Sequence, residues 1–130
     1  MSDSLAATTL FSATHQWVRP LSATRVQVGI SDFAQEALGD VVFIEAPALD
    51  TSVRAGELIG AIESVKTASE ILAPVSGRLV AFHALLEDQP EQVNEAPIAT
   101  WIYELEVDPE QYAEEAAQLM TAADYQAQLD

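Results

Sequence analysis

The chain has 130 residues, enough for one domain with a modest core, and 49% of them are hydrophobic, which fits a globular chain better than a disordered one. Its 21 acidic residues against five Lys and Arg give a net charge of −16, which repels nucleic-acid phosphates and anionic lipid heads and favours a partner with a basic face. The absence of cysteine excludes disulfides, thiol nucleophiles and thiolate metal sites.

The N-terminal stretch has no basic segment before a long apolar run, and its first arginine is Arg19. We therefore expect neither a secretory signal nor a transit peptide. No apolar stretch approaches the ~20 residues that span a bilayer. These features predict a soluble, cytoplasmic protein.

Two half-buried strands are predicted first, over 15–19 and 24–30, because polar and apolar residues alternate there. Residues 20–23, which begin with a proline, are expected to connect them. A short helix follows over 31–40. Ser31 or Asp32 can cap its start, and Gly39 suits its C-terminal end.

The second half of the chain predicts more strands and then helices. After Pro109 the pattern becomes helical in two segments, and Thr121 is placed to cap the second. The fold class is therefore mainly β, one domain over 1–130 with a core of about 10–108 and a C-terminal helical segment of about 109–129. The five strands predicted between are 41–46 (buried, ending at Pro47), 57–64, 69–73, 77–84 and 100–107.

Lys66 is the only lysine in the chain. It lies near the midpoint between two similar segments, "VRAGELIGAI" (53–62) and "VSGRLVAF" (75–82), each running from a valine through a turn glycine into an apolar strand. A hairpin joining the two segments would place Lys66 at an exposed tip.

The surroundings of this lysine favour one of three lysine chemistries. Schiff-base and general-base lysines need a partly dehydrated amine, whereas a lysine that accepts a covalent group needs access. "SVKTAS" offers small side chains and neither an apolar pocket nor a second cation. We therefore expect a modified lysine, with the attached group at the end of a long, flexible stem.

Four segments resemble, in the same order, the H protein of the glycine cleavage system, over roughly residues 10–127. Its most specific parts are "GISDFAQEALGD" and "ESVKTASEILAPVSG". The resemblance implies a lipoyl/biotinyl-type barrel-sandwich of short strands with peripheral helices, and lipoate in amide linkage on Lys66. The four segments are "HQWVR", "VGISDFAQEALGDVVFIEAP", "AGELIGAIESVKTASEILAPVSGRLV" and "VNEAPIATWI".

Two related classes fit less well. Biotin carriers resemble A-M-K-M at the modified site, whereas this chain has Val65-Lys66-Thr67. Lipoyl domains of 2-oxoacid dehydrogenases share the hairpin but lack a helix like that of "SDFAQEALGD".

The resemblance implies a carrier without turnover of its own. It would take the aminomethyl group of glycine from a pyridoxal-phosphate glycine decarboxylase to a tetrahydrofolate-dependent aminomethyltransferase. Dihydrolipoyl dehydrogenase would reoxidise the arm, and a lipoate ligase or lipoyltransferase would attach it. A monomer is expected, since a carrier must present its arm. A lipoyl relay or storage module that donates lipoyl to other proteins is the alternative.

The resemblance also implies a groove that shelters the loaded arm. His15, Gln16 and Glu70 match its flanking positions, and Gln16 stands where the family usually has a glutamate. An amide there would weaken docking of an ammonium, because charge-assisted hydrogen bonds are about twice as strong as neutral ones. Glu63 and Ser64, just before the lysine, are candidates for ligase recognition, with simple solvation an equal alternative for Glu63.

Other conspicuous residues have structural interpretations. His15 and His83 lack a third ligand of suitable type nearby, so no metal site is expected. Trp17 and Trp101 are predicted to be core or groove wall. The acidic segment 108–120 is predicted to be a solvated helix face, with docking of a partner as the lesser alternative.

Overall fold

The computed structural model describes residues 9–45 and 48–129. The expectations about the first eight residues, and the strand end expected at Pro47, lie outside the described residues.

The described residues form two antiparallel sheets. The larger has the order β1-β2-β3-β9-β8-β5 and the smaller the order β4-β6-β7. The strands are β1 (Leu10–Phe11), β2 (Gln16–Ser22), β3 (Arg25–Ile30), β4 (Val41–Glu45), β5 (Ser52–Val53), β6 (Leu58–Ser64), β7 (Ala68–Leu72), β8 (Gly77–Phe82) and β9 (Tyr103–Glu106). The helices are α1 (Asp32–Leu38), α2 (Leu85–Asp88), α3 (Gln92–Glu95), α4 (Pro109–Ala116) and α5 (Ala122–Leu129).

One hydrophobic cluster joins the two sheets. Val28 and Leu105 come from the larger sheet, Ile62 and Ile71 from the smaller, and all four are at most 1% exposed. Burial of such side chains stabilises the fold by about 1.5–3 kcal/mol each. The mainly β class with peripheral helices is confirmed.

The helix ends follow the predicted capping. The Ser31 hydroxyl accepts a hydrogen bond from the amide of Ala34, and Gly39 follows α1 with a φ of 80°. Thr121 likewise accepts from the amide of Asp124 at the start of α5. The sequence alone predicted these helix ends, because a capping residue acts on backbone groups only a few positions away.

The connection predicted at 20–23 is wrong in part. β2 continues through Pro20 to Ser22, with a bulge between these two residues where it pairs with β3. Proline is tolerated at bulges and edges. β1 pairs with β2 only at Trp17 and Val18, so Pro20 lies beyond the residues that β1 covers.

The strand predicted as buried over 41–46 is half exposed. Val42 and Phe43 are 52% and 53% exposed, because a bulge interrupts the pairing of β4 with β6 between Val41 and Phe43. An extra residue in one strand breaks the alternation of faces. The apolar run in this segment therefore does not indicate a strand that is buried on both faces.

The strand predicted over 100–107 is shorter. β9 begins at Tyr103, while Trp101 lies outside it and stacks on His83 with ring centroids 4.4 Å apart. The sequence also missed β1, β5, α2 and α3, which have only two to four residues each. Such short elements carry too few positions for a periodic pattern.

The acidic segment is not only a solvated face. The carboxylate of Glu115 accepts hydrogen bonds from the backbone amide of Ser76 at 2.7 Å and from its hydroxyl at 2.6 Å. It thereby joins α4 to the turn before β8, whereas the neighbouring Glu114 is exposed.

Candidate functional site

Lys66 lies at the exposed tip of the hairpin between β6 and β7. Val65 is 67% exposed, and Lys66 and Thr67 are also exposed. The exposed tip agrees with the prediction, but the strand pairing that forms it differs from the predicted one. The segments 53–62 and 75–82 do not pair through this hairpin, because β8 belongs to the other sheet.

Ser64 holds the turn that carries the lysine. Its backbone amide donates to the carbonyl of Thr67 at 2.8 Å, and its hydroxyl accepts from the amides of Lys66 and Thr67, each at 3.2 Å. These bonds satisfy backbone groups that the three-residue tip would otherwise leave to water. Glu63 is exposed on β6 beside this turn.

A groove of about 300 Å³ lies beside the hairpin. Apolar side chains of α1, β6 and β7 line it, together with the polar residues of the loop before β2. His15, Gln16 and Glu70 all line this groove, and Thr67 extends it to the residue next to Lys66. Glu63 and Ser64 are not among its lining residues. The apolar lining consists of Ile30, Phe33, Ala34, Ala37, Leu38, Ile62, Ala68 and Ile71.

Gln16 is 4% exposed, and its amide oxygen is already bonded. That oxygen accepts from the hydroxyl of Ser12 at 3.1 Å and from the hydroxyl of Thr14. The Ser12 hydroxyl also lies 3.1 Å from the backbone amide of Gln16, which donates to it. The side chain is therefore fixed by its own loop, at the edge of the groove.

His15 is held by residues far away in the chain. Its Nδ1 lies 2.5 Å from the hydroxyl of Tyr125, which lies 2.7 Å from the hydroxyl of Ser31. Its carbonyl accepts from the amide of Ser31 at 3.0 Å, and its ring packs on Phe33 at 4.6 Å. His15 has a φ of 76°, a conformation uncommon outside glycine. These contacts fix the ring at the groove.

Tyr125 is the residue of this site that the sequence analysis missed. Burial raises the pKa of its phenol, although the hydrogen bond with Ser31 opposes the shift. The phenol therefore stays protonated at neutral pH and can donate. Because 110 residues separate Tyr125 from His15, no local pattern signals this pairing.

Neither a metal-ligating cluster nor a membrane-spanning helix occurs among residues 9–45 and 48–129. No group of three His, Cys, Asp or Glu is placed to hold a metal ion there. No helix in this part of the chain has the length and apolar character of a membrane span.

The two sheets, their shared core and the exposed hairpin define a lipoyl-domain-like fold. A solved structure of a glycine cleavage system H protein from Mycobacterium marinum superposes on the chain with a TM-score of 0.80 at 35% identity, covering 94% of this chain and 96% of that one.

Sequence comparisons give the family. The family model described as "Glycine cleavage H-protein" matches residues 9–130. "Glycine cleavage system H protein 2" of Pseudomonas aeruginosa is 46% identical over 92% of this chain and 91% of its own length. "Glycine cleavage system H protein" of Listeria monocytogenes is 43% identical over 98% of this chain and 99% of its own length. The chain therefore belongs to the glycine cleavage H-protein family.

Proposed function

We propose that this chain, as one domain over 1–130, is a non-catalytic lipoyl carrier of glycine cleavage in the cytoplasm, with lipoate in amide linkage on Lys66. The observation that carries the proposal is the position of the only lysine, at an exposed hairpin tip beside an apolar groove in a member of this family. Attached lipoate would supply a disulfide that is reduced when it takes up the aminomethyl group, and the dithiol left after transfer would be reoxidised to the disulfide.

The residues present fit such a group. The apolar lining of the groove, with Phe33, Leu38 and Ile71, suits the hydrocarbon part of an acyl chain, since apolar surfaces gain by leaving water together. Glu70 provides a negative charge in the same groove for a cationic end. His15 and Gln16 complete its polar side. Glu63 and Ser64, which precede the lysine and lie outside the groove, would contact the attaching enzyme in this proposal.

The role of the chain is to present the group attached to Lys66 to the partner enzymes. The turn held by Ser64 keeps the backbone of Lys66 in one place, while the long stem gives the attached group a wide reach. Tethering replaces diffusion of a free group by a local encounter, which raises its effective concentration at each partner. The negative charge of the chain favours partners with basic docking faces.

The partners in this proposal are four enzymes acting on a monomeric carrier. They are the glycine decarboxylase, the aminomethyltransferase, dihydrolipoyl dehydrogenase, and a lipoate ligase or lipoyltransferase.

Intact mass and glycine–bicarbonate carbon exchange test the proposal together. Protein produced with lipoate available is expected to gain one lipoyl group, and Lys66→Arg none. The lipoylated protein is expected to support exchange by a glycine decarboxylase. Lipoyl on a residue other than Lys66, or no lipoyl at all, would contradict the proposed attachment.

A lipoyl relay is the second candidate, because residue 16 is a neutral glutamine, whereas the resemblance to the family implies a carboxylate at this position. Lipoylated protein that supports no exchange with a range of decarboxylases, but transfers lipoyl to other acceptor proteins in the presence of a lipoyltransferase, would favour this function.

A further inference from the structure

The side chain of Lys66 lies against the backbone of Gly39, directly after α1. A Cβ built on Gly39 would lie 2.8 Å from Cε of Lys66 and 3.4 Å from its Nζ. Real Cβ atoms almost never approach another carbon to 2.8 Å, so a side chain at residue 39 would require the flexible end of Lys66 to leave its present position. Gly39 also has a φ of 80°, which favours glycine independently.

Asn94, in α3, holds this glycine in place. Its side-chain NH₂ donates to the carbonyl of Gly39 at 2.8 Å, and its side-chain oxygen accepts from the amide of Val41 at 2.9 Å. The same NH₂ group donates to the side chain of Gln35 at 3.0 Å. One side chain therefore fixes the backbone on both sides of Asp40.

The same segment also holds the hairpin tip. The carbonyl of Asp40 accepts a hydrogen bond from the amide of Val65 at 3.0 Å. The backbone next to Lys66 thus contacts Asp40, and the side chain of Lys66 contacts Gly39. We call this anchored segment, Gly39 and Asp40 held by Asn94, the lysine seat.

We propose that Gly39 is a positioning residue for the modification of Lys66: the lysine seat orients the amine toward the enzyme that acylates it. This inference rests on the proposed function, since it requires an acylated lysine. A free lysine stem has four rotatable bonds with three staggered wells each. If contact with Gly39 holds two of these bonds in one well each, a single orientation is enriched by up to about ninefold.

Gly39→Ala and Gly56→Ala form a matched pair that tests the seat. Gly56 has a φ of 89°, so alanine is strained there as at Gly39, but a Cβ at Gly56 meets no atom within 4 Å. The assay is attachment of lipoate to the unmodified protein by a purified lipoate ligase. We expect kcat/KM for Gly39→Ala to fall by about three- to ninefold. Gly56→Ala should stay within about twofold of the wild type, with a similar loss of Tm in the two variants.

Reaction with a small amine-reactive ester distinguishes a change in the orientation of the Lys66 amine from a change in its exposure. The ester reacts without docking of an enzyme. Lys66 is the only side-chain amine that it can modify, because the chain has no other lysine. Its rate at Lys66, followed by peptide mass, should be unchanged or higher in Gly39→Ala. Hydrogen exchange at the amide of Val65 should quicken in Asn94→Ala and stay unchanged in Gly56→Ala.

The possible failures are distinguishable. If the wild-type protein accepts no lipoyl group, the proposed function fails and the seat with it. If the wild type is lipoylated but Gly39→Ala and Gly56→Ala react equally with the ligase, Gly39 does not position Lys66. Equal slowing of the ester and the ligase reactions in Gly39→Ala would also overturn the inference, because it would show a loss of access rather than of orientation.

Discussion

The phenol oxygen of Tyr125 lies 2.5 Å from Nδ1 of His15 and thereby links the C-terminal helix α5 to the groove beside Lys66. The same oxygen meets Ser31, the residue that caps α1. One side chain near the end of the chain thus contacts both the loop before β2 and the helix that lines the groove. The C-terminal helix is part of the architecture of the site.

Tyr125→Phe should lower the free energy of unfolding by about 1–2 kcal/mol, because two polar contacts are lost at about 1 kcal/mol each. Its ring would keep the stacking on Phe11, whose centroid lies 4.6 Å away. Chemical denaturation measures the loss, and the imidazole resonances of His15 in NMR should shift and broaden.

Tyr112→Phe is the matched control for that variant. Within the described residues, the hydroxyl of Tyr112 is buried without a hydrogen-bond partner. Its removal should be neutral or stabilising, because an unpaired buried hydroxyl costs desolvation. Equal losses in the two variants would show that the contacts of Tyr125 do not stabilise the fold.

Glu115→Ala should destabilise the protein by about 2–3 kcal/mol, since hydrogen bonds to charged groups contribute about 1.5–3 kcal/mol and the amide of Ser76 would lose its partner. Glu114→Ala, on the same helix but exposed, should change stability by no more than about 0.5 kcal/mol. Urea denaturation of both variants checks the difference. Similar losses in the two variants would mean that the bonds to Ser76 do not determine the effect.

The stability of the protein should fall at alkaline pH, with Tyr103 as one cause. Its hydroxyl donates to the carbonyl of Glu45 at 2.7 Å, and burial, with a smaller effect of the charge of Glu45, raises its pKa. The folded state then binds the phenol proton more tightly than the unfolded state, whose tyrosine pKa is about 10. This stabilisation is complete below about pH 10 and is lost as pH rises further.

Tyr103→Phe tests that assignment. It should cost about 1 kcal/mol near neutral pH through the lost hydrogen bond, and reduce the alkaline slope by up to about 1.4 kcal/mol per pH unit. Some slope should remain, because burial also raises the pKa of Tyr112 and of Tyr125. Denaturation midpoints between pH 8 and 11 measure the slope. An unchanged slope would exclude Tyr103 as a contributor.

Gln16→Glu should hold the loaded arm more firmly. The hydroxyls of Ser12 and Thr14, which donate to the Gln16 oxygen, would serve a carboxylate equally well. A charged partner in place of a neutral one gains on the order of 1 kcal/mol, or about fivefold in the docked-to-free ratio. Ammonia release from loaded protein without the transferase should therefore slow by about fivefold.

The oxidised, unloaded arm is the control for this variant, because it carries no ammonium and should respond little to the substitution. If wild type and Gln16→Glu release ammonia at the same rate, residue 16 does not hold the arm, and the predicted role of Gln16 in the groove is wrong.

Local sequence patterns were sufficient for the helix caps at Ser31 and Thr121 and for most strands. Alternation, capping and turn formation depend on residues within a few positions of each other, so one sequence carries the information. The small neighbours of Lys66 likewise predicted its exposed position, although the glycine-containing segments on either side do not pair through its hairpin.

Local sequence patterns could not predict the bulges in β2 and β4, the groove or the contacts of Tyr125. A bulge depends on the register that a partner strand imposes, which is why the exposure of Phe43 was not foreseen. Residues of the groove come from four separate parts of the chain, and the partner of His15 lies 110 residues away. Such contacts arise when the two sheets and the C-terminal helix pack on one core, and no short-range pattern encodes packing between distant segments.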